Sequence, residues 1–162
     1  MYNEFMSKRE SSYTKIMQVV GFILLCQAAG AIGSIFTFSA IPNWYAYLTK
    51  PFFNPPNWIF GPVWTTLYTL MGIAVYLVWK KRKGIPFWFW VQLVLNALWS
   101  ILFFGLQNPT IAFIGIVFLW LSIFLTITSF YRIHKTAAYL MIPYLLWVTF
   151  ASLLNASIAL LN

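Results

Sequence analysis

The chain has 162 residues, 62% of them hydrophobic and only 7% charged, with a mean hydropathy of +0.80. A water-soluble domain of this length needs far more charge to coat its surface, so that class is excluded. The formal charge of +8 would point to nucleic acid in a soluble protein, but here the cations are segregated into short connections, which is a signature of membrane topology.

Residues 1–15 are polar, with Glu4, Lys8, Arg9, Glu10 and Lys15, and read as an N-terminal tail. Residues 16–162 then read as a single domain of five apolar runs, at 16–38, 58–79, 87–106, 110–131 and 137–161. Each is close to the roughly 20 residues that a helix needs to cross about 30 Å of hydrocarbon. None shows the alternation of barrel strands, so the predicted fold is an all-α integral membrane bundle of five transmembrane helices. A basic tail ahead of Ala28-Ala29-Gly30-Ala31 also suits a cleaved signal peptide, but the apolar text continues to Phe38, too far for a signal core. Gly30, Ala31, Gly33 and Ser34 read better as a surface that another helix backbone approaches closely.

Between the first two runs, residues 39–57 carry Pro42, Pro51, Pro55 and Pro56, which predicts a stiff, non-helical loop. KKRKGIP (80–86) ends the second run, with Pro86 suited to the first turn of the third helix. Asn108-Pro109 reads as an N-cap followed by proline at the first helical position. RIHKT (132–136) separates the last two runs, and Pro143 is expected to bend the fifth helix near Trp147. Five spans place nine of the ten cations (Lys8, Arg9, Lys15, Lys80, Lys81, Arg82, Lys83, Arg132 and Lys135) on one side and Lys50 alone on the other. The positive-inside rule then predicts a multi-pass membrane protein with its N-terminus cytoplasmic and the Pro-rich loop and the C-terminus outside.

Depth sorts the nine tryptophans. Trp44, Trp58, Trp79, Trp88 and Trp90 fall at run ends, where an interfacial belt is the plain explanation. Trp64, Trp99, Trp120 and Trp147 lie inside runs, where an indole N–H needs a partner. Trp64 and Tyr68 are spaced i, i+4; Asn96 and Trp99 are i, i+3; Trp147, Ala151 and Asn155 recur every four residues. These faces, at matching depth beneath the Pro-rich loop, predict an aromatic cavity; Asn96 suits equally a cavity wall or an interhelical hydrogen bond. Trp120 suits lipid, helix packing or the cavity. No Asp, Glu, Lys, Arg or His lies within a run, which weighs against proton-coupled transporters and ion channels. His134 and Cys26 lack the partners that hydrolytic or metal chemistry would need.

Trp44-Tyr45-Ala46-x-Leu48-x-Lys50-Pro51 followed by Pro55-Pro56-x-Trp58-x-Phe60-Gly61-Pro62-Val63-Trp64-x-x-Leu67-Tyr68 resembles the signature of the TspO/MBR family, the tryptophan-rich sensory and translocator proteins. Leu95-Asn96-x-x-Trp99-x-x-x-Phe103-Phe104-Gly105 and Pro143-Tyr144-Leu145-x-Trp147-x-x-Phe150-Ala151-x-x-Leu154-Asn155 extend the resemblance to about residues 16–160. The resemblance implies a five-helix bundle, often a homodimer, that binds porphyrins such as protoporphyrin IX and isoquinoline-carboxamide or benzodiazepine-type molecules, with no obligatory cofactor. It implies a ligand wall of Tyr45, Trp64, Tyr68, Asn96, Trp99, Trp147 and Ala151, and a role for Trp64 and Trp147 in light-dependent porphyrin breakdown. Two departures stand out. Ala112-Phe113-Ile114-Gly115-Ile116 lacks the acid that members often carry in the fourth helix, and the C-terminal stretch lacks the aromatic and basic residues of a sterol motif.

The resulting expectation is a membrane receptor or sensor for tetrapyrroles, with Lys50 as the natural partner for a ligand carboxylate at the outer mouth. A transporter of tetrapyrroles or lipids is the alternative, and it would need an inward-open state that no internal repeat suggests.

Overall fold

The computed structural model describes the backbone of residues 2–162 and side chains from Tyr13 onward. Among these residues all regular structure is helical, and five helices are long and apolar enough to cross a membrane. The first is α1 (Tyr2–Asn43), and it differs from expectation at both ends. The polar residues 2–15 continue the helix as its first turns instead of forming a separate tail. They contain no proline or glycine, so nothing in them stops a helix; polarity marks where it leaves hydrocarbon, not where it begins. At the other end α1 runs through Pro42, so the loop starts at Trp44. A proline in a last turn removes a single hydrogen bond, and the helix closes past it: Trp44 N donates to the Ala40 carbonyl at 2.9 Å, and Asn43 Nδ2 to that of Ser39 at 2.9 Å.

Residues 44–59 form a link with short 3₁₀ turns at Tyr45–Tyr47 and Asn57–Ile59, so the segment expected to be non-helical is partly helical. It leads into α2 (Phe60–Arg82), which ends in a left-handed residue, Lys83, at φ 58°. Then α3 (Phe87–Ser100) follows, with Pro86 as its N-cap, one position earlier than the first turn. Its last turn widens into a π-turn at Ile101–Gly105, which sequence spacing gave no sign of. Asn108 caps α4 (Pro109–Tyr131) as predicted, its side chain accepting from Ile111 N at 3.0 Å. The fifth span breaks into α5 (Lys135–Leu140) and α6 (Ile142–Leu161). Pro143 sits in the first turn of α6, so the interruption falls at Met141, one turn and a half before Trp147, because the missing N–H frees a carbonyl N-terminal to the ring.

The helices close into a ring: α2 packs on α1 and α5, α1 also on α3, α3 on α4, and α4 on α6. α2 and α6 are not among the closely packed pairs, and that gap becomes the cavity. Small residues set the tightest approaches. A Cβ on Gly72 would lie 2.5 Å from the Ile23 backbone, and one on Gly30 would lie 2.3 Å from the Tyr68 ring, so the small-residue surface read from the first run does meet another helix. Gly105 and Gly115 likewise face Phe36 and Leu102 inside the chain. Asn162 locks the C-terminus to the loop through paired hydrogen bonds with Thr49, 2.9 and 3.1 Å long, which places both at one end of the bundle. Trp120 serves packing: its Nε1 donates to Thr149 Oγ1 at 2.8 Å, tying α4 to α6.

Because the atom facing Gly72 is backbone and cannot rotate away, Gly72→Ala should force α1 and α2 apart. Overpacking of this kind costs about 1–3 kcal/mol. Thermal unfolding in detergent should show a lowered midpoint, whereas Gly61→Ala, which meets nothing within 4 Å, should unfold like the wild type.

Candidate functional site

Between α2 and α6, beneath residues 44–59, lies a cavity of about 630 Å³, within the range of small-molecule sites. α2 supplies Phe60, Trp64 and Tyr68 to one wall, and α6 supplies Trp147 and Ala151 to the facing one. α3 adds Asn96 and Trp99, and the π-turn adds Phe103 and Phe104. Rings bridge the gap edge to face: Trp64 meets Tyr144 at 6.1 Å and Phe60 meets Trp147 at 5.9 Å between centroids. Trp64 stacks on Tyr68 at 5.5 Å and Trp99 on Phe103 at 5.4 Å. Such pairs contribute about 0.5–1.5 kcal/mol each beyond area burial, so the walls are firm without the cavity being filled.

The innermost part is polar and fully engaged. The Tyr68 hydroxyl donates to Asn96 Oδ1, and Asn96 Nδ2 donates to the Tyr144 hydroxyl oxygen at 2.8 Å. One amide thereby joins α2, α3 and α6, which meets both readings of Asn96: it lines the cavity and holds helices together. Asn155 does similar work nearer the loop, accepting from Trp99 Nε1 at 3.1 Å and donating to the Pro109 carbonyl at 2.7 Å. Trp147 is different: its Nε1–H is buried in the wall with no acceptor. Among the described residues, none in the lining is ionisable other than tyrosine.

The structure brings Tyr45, Trp64, Tyr68, Asn96, Trp99, Trp147 and Ala151 around this one space. It does not bring Lys50 into the lining. The Lys50 ammonium donates to the Leu48 and Ala46 carbonyls at 3.0 and 3.2 Å and lies 4.8 Å from the centre of the Tyr45 ring, so one aromatic ring separates it from the cavity. Tyr45 is buried, which pushes its phenol above the ordinary tyrosine range; its hydrogen bond to Asn54 Oδ1, 2.8 Å, pulls partly back. It therefore remains a neutral donor at physiological pH. Sequence reasoning missed the α1 wall, where Gln27, Ser34, Thr37, Phe38 and Ile41 line the cavity. Their i, i+3, i+4, i+7 recurrence was available as a signal, but a run apolar on all sides masks it. Gln27 also clasps α2, its Nε2 donating to the Thr65 carbonyl at 3.0 Å and to Thr69 Oγ1 at 3.2 Å. His134 turns out to be a helix cap, its Nδ1 accepting from Ala137 N at 3.4 Å, and among the described residues no cluster suits a metal.

A bundle of five spanning helices holding an uncharged aromatic cavity defines a polytopic membrane protein with a ligand-sized internal site. Residues 22–161 match the model of the TspO/MBR family, and the chain belongs to that family. Tryptophan-rich protein TspO of Archaeoglobus fulgidus is 48% identical over 155 residues, covering 91% of this chain and 98% of the relative. The protein of the same name in Chlorobaculum tepidum is 44% identical over 91% of this chain and 98% of its own. Human translocator protein is 36% identical over 84% of this chain and 85% of its own. Membership with these sensory and translocator proteins supports a membrane sensor or receptor kind of function.

Replacing Asn96 by Leu would leave two buried tyrosine hydroxyls unpartnered, at a cost of about 1–3 kcal/mol. The expected result is a lower unfolding midpoint in detergent, with Asn96→Gln losing less. Equal midpoints for the leucine variant and the wild type would show that the hub carries no stability.

Proposed function

We propose that this protein is a membrane receptor or sensor whose cavity accepts a flat, hydrophobic macrocycle of the tetrapyrrole class, with protoporphyrin IX as the test ligand. The observation that carries this reading is the combination of aromatic rings from α2, α3 and α6 around one space with no ionised group in its wall. Flat walls favour a planar ligand through ring overlap, while the absence of charge gives its carboxylates reason to stay at the mouth near the loop. The free N–H of Trp147 supports it too, since an acceptor on a ligand would complete that group after a small ring movement. The cation distribution supports an outward-facing loop end, with the N-terminus in the cytoplasm. A transporter would need a path past the cavity floor, where the Tyr68–Asn96–Tyr144 bonds give way to packed Met71, Val75, Phe89 and Phe130.

Titration of the detergent-solubilised protein with protoporphyrin IX in darkness should quench tryptophan fluorescence saturably. Trp64→Ala should weaken binding by about tenfold, and Trp64→Phe, which keeps a ring, by about threefold or less. An unaltered affinity in the alanine variant would remove the cavity as the binding site. Illumination tests the photochemical reading: if an indole reduces the excited macrocycle, Phe at both 64 and 147 should keep the porphyrin absorbance shift but abolish light-dependent bleaching. Bleaching at the wild-type rate would exclude those tryptophans. Flux of protoporphyrin into proteoliposomes would favour transport over reception.

A further inference from the structure

A second cavity, of about 410 Å³, lies between the 84–88 segment and the end of α4, at the end of the bundle remote from the loop. Its lining includes Arg82, Arg132, Ser129, Phe87 and Trp88. The chain's only acids, Glu4 and Glu10, lie outside the described side chains, so among the described residues neither arginine has an ion pair. Neighbouring cations differ. The Lys83 ammonium lies 4.4 Å from the Trp79 ring centre and that of Lys135 5.6 Å from the Tyr131 ring centre, so each already has an aromatic partner. The two guanidiniums are thus the unengaged pair on one concave surface.

The backbone adds to this. α3 begins at Phe87 behind a proline cap that has no capping side chain, and Phe89 N already donates to the Pro86 carbonyl at 3.1 Å. The amides of Phe87 and Trp88 are therefore the free donors of the helix start, at its positive end, and both residues line the cavity. Two guanidiniums and free helix N–H groups are the chemistry of a phosphate site. The rest of the lining is mostly apolar, with Ile85, Pro86 and Ile133, and farther along the same two helices Trp90 and Val94 of α3 and Leu121 and Phe124 of α4 are exposed. A free inorganic anion has no use for these surfaces, whereas an acyl chain does. Trp88 also belongs at the interfacial depth where head groups sit.

We propose that this cavity binds the phosphate of an anionic phospholipid, with Arg82 and Arg132 on the head group and the acyl chains running along the exposed faces of α3 and α4. The site is separate from the aromatic cavity and does not depend on what that cavity binds. The attraction is partly screened by salt, and each arginine lost should lower affinity about fivefold.

Native mass spectrometry of the full chain in detergent, with dioleoyl phosphatidylglycerol and dioleoyl phosphatidylcholine at equal concentration, reads the first bound lipid directly. The expected first adduct is phosphatidylglycerol, by about tenfold or more, with the preference lost in R82Q/R132Q. K80Q/K81Q removes the same charge outside the cavity and should keep the preference. Millimolar inorganic phosphate should not displace the lipid. Equal uptake of the two lipids by the wild type would overturn the proposal whether or not the arginine variant folds. Equal loss in K80Q/K81Q would reduce the site to general surface charge, and full displacement by phosphate would assign it to a free anion.

Discussion

A carboxamide in the middle of a hydrocarbon slab must be engaged on both its oxygen and its nitrogen, and Asn96 meets that demand by drawing one tyrosine from α2 and another from α6 onto α3. The rest of the bundle follows from this requirement. Tyr68 can reach Asn96 only because α1 offers no side chain at Gly30, where even a methyl group would strike the tyrosine ring. A glycine on the first helix is thereby coupled to a hydrogen bond between the second and third. The same junction fixes how far apart α2 and α6 stand at that level, since the reach of two tyrosines and an amide spans the interval.

Nearer the loop, that interval is kept open by rings too large to interlock. Trp64 and Tyr144, and Phe60 and Trp147, meet edge to face and hold the walls apart at about one ring's width. The π-turn at Ile101–Gly105 shifts the register of α3 just where Phe103 and Phe104 must both bear on the cavity region, and such turns recur at functional sites. Across the top, Thr49 and Asn162 fasten the loop to the last residue of the chain, while Tyr45 is braced by Asn54 below and Lys50 behind. The cavity is a space left between contacts that are each satisfied elsewhere, Trp147 Nε1 excepted.

Much of this was legible before any coordinates. Span number follows from hydropathy, the Asn108 cap from the Asn-Pro pair, and the faces that carry Trp64 with Tyr68, Asn96 with Trp99 and Trp147 with Ala151 from i, i+3 and i, i+4 spacing, because helices convert spacing into faces. What escaped either has no periodic signature or has one masked by its surroundings. Lys50 looked available because it is the lone cation of its end, yet loop carbonyls two and four residues away accept hydrogen bonds from its ammonium, and loop conformation is not written in a repeat. The α1 wall was hidden by a helix apolar on every face. Tyr144 stood in the sequence as one more aromatic, and only the meeting of three helices shows that it completes the hub. The start of α1 was misplaced because polarity reports the membrane boundary, while helix ends depend on caps and breakers.

The two ends of the molecule solve opposite electrostatic problems. At the loop end charge is nearly absent and the lone cation is occupied, so the cavity wall presents aromatic rings and neutral polar groups instead of fixed charge. An ionised group in that wall would have to be desolvated without a partner, at a cost that ring contacts of about 1 kcal/mol could not offset. At the other end cations outnumber every described partner, and the lysines with rings within reach settle over them while Arg82 and Arg132 stay free around a concave surface. The charge asymmetry along the bundle axis is the kind of signal that the positive-inside rule reads, and it runs parallel to the contrast between an uncharged aromatic cavity at one end and a cationic surface at the other.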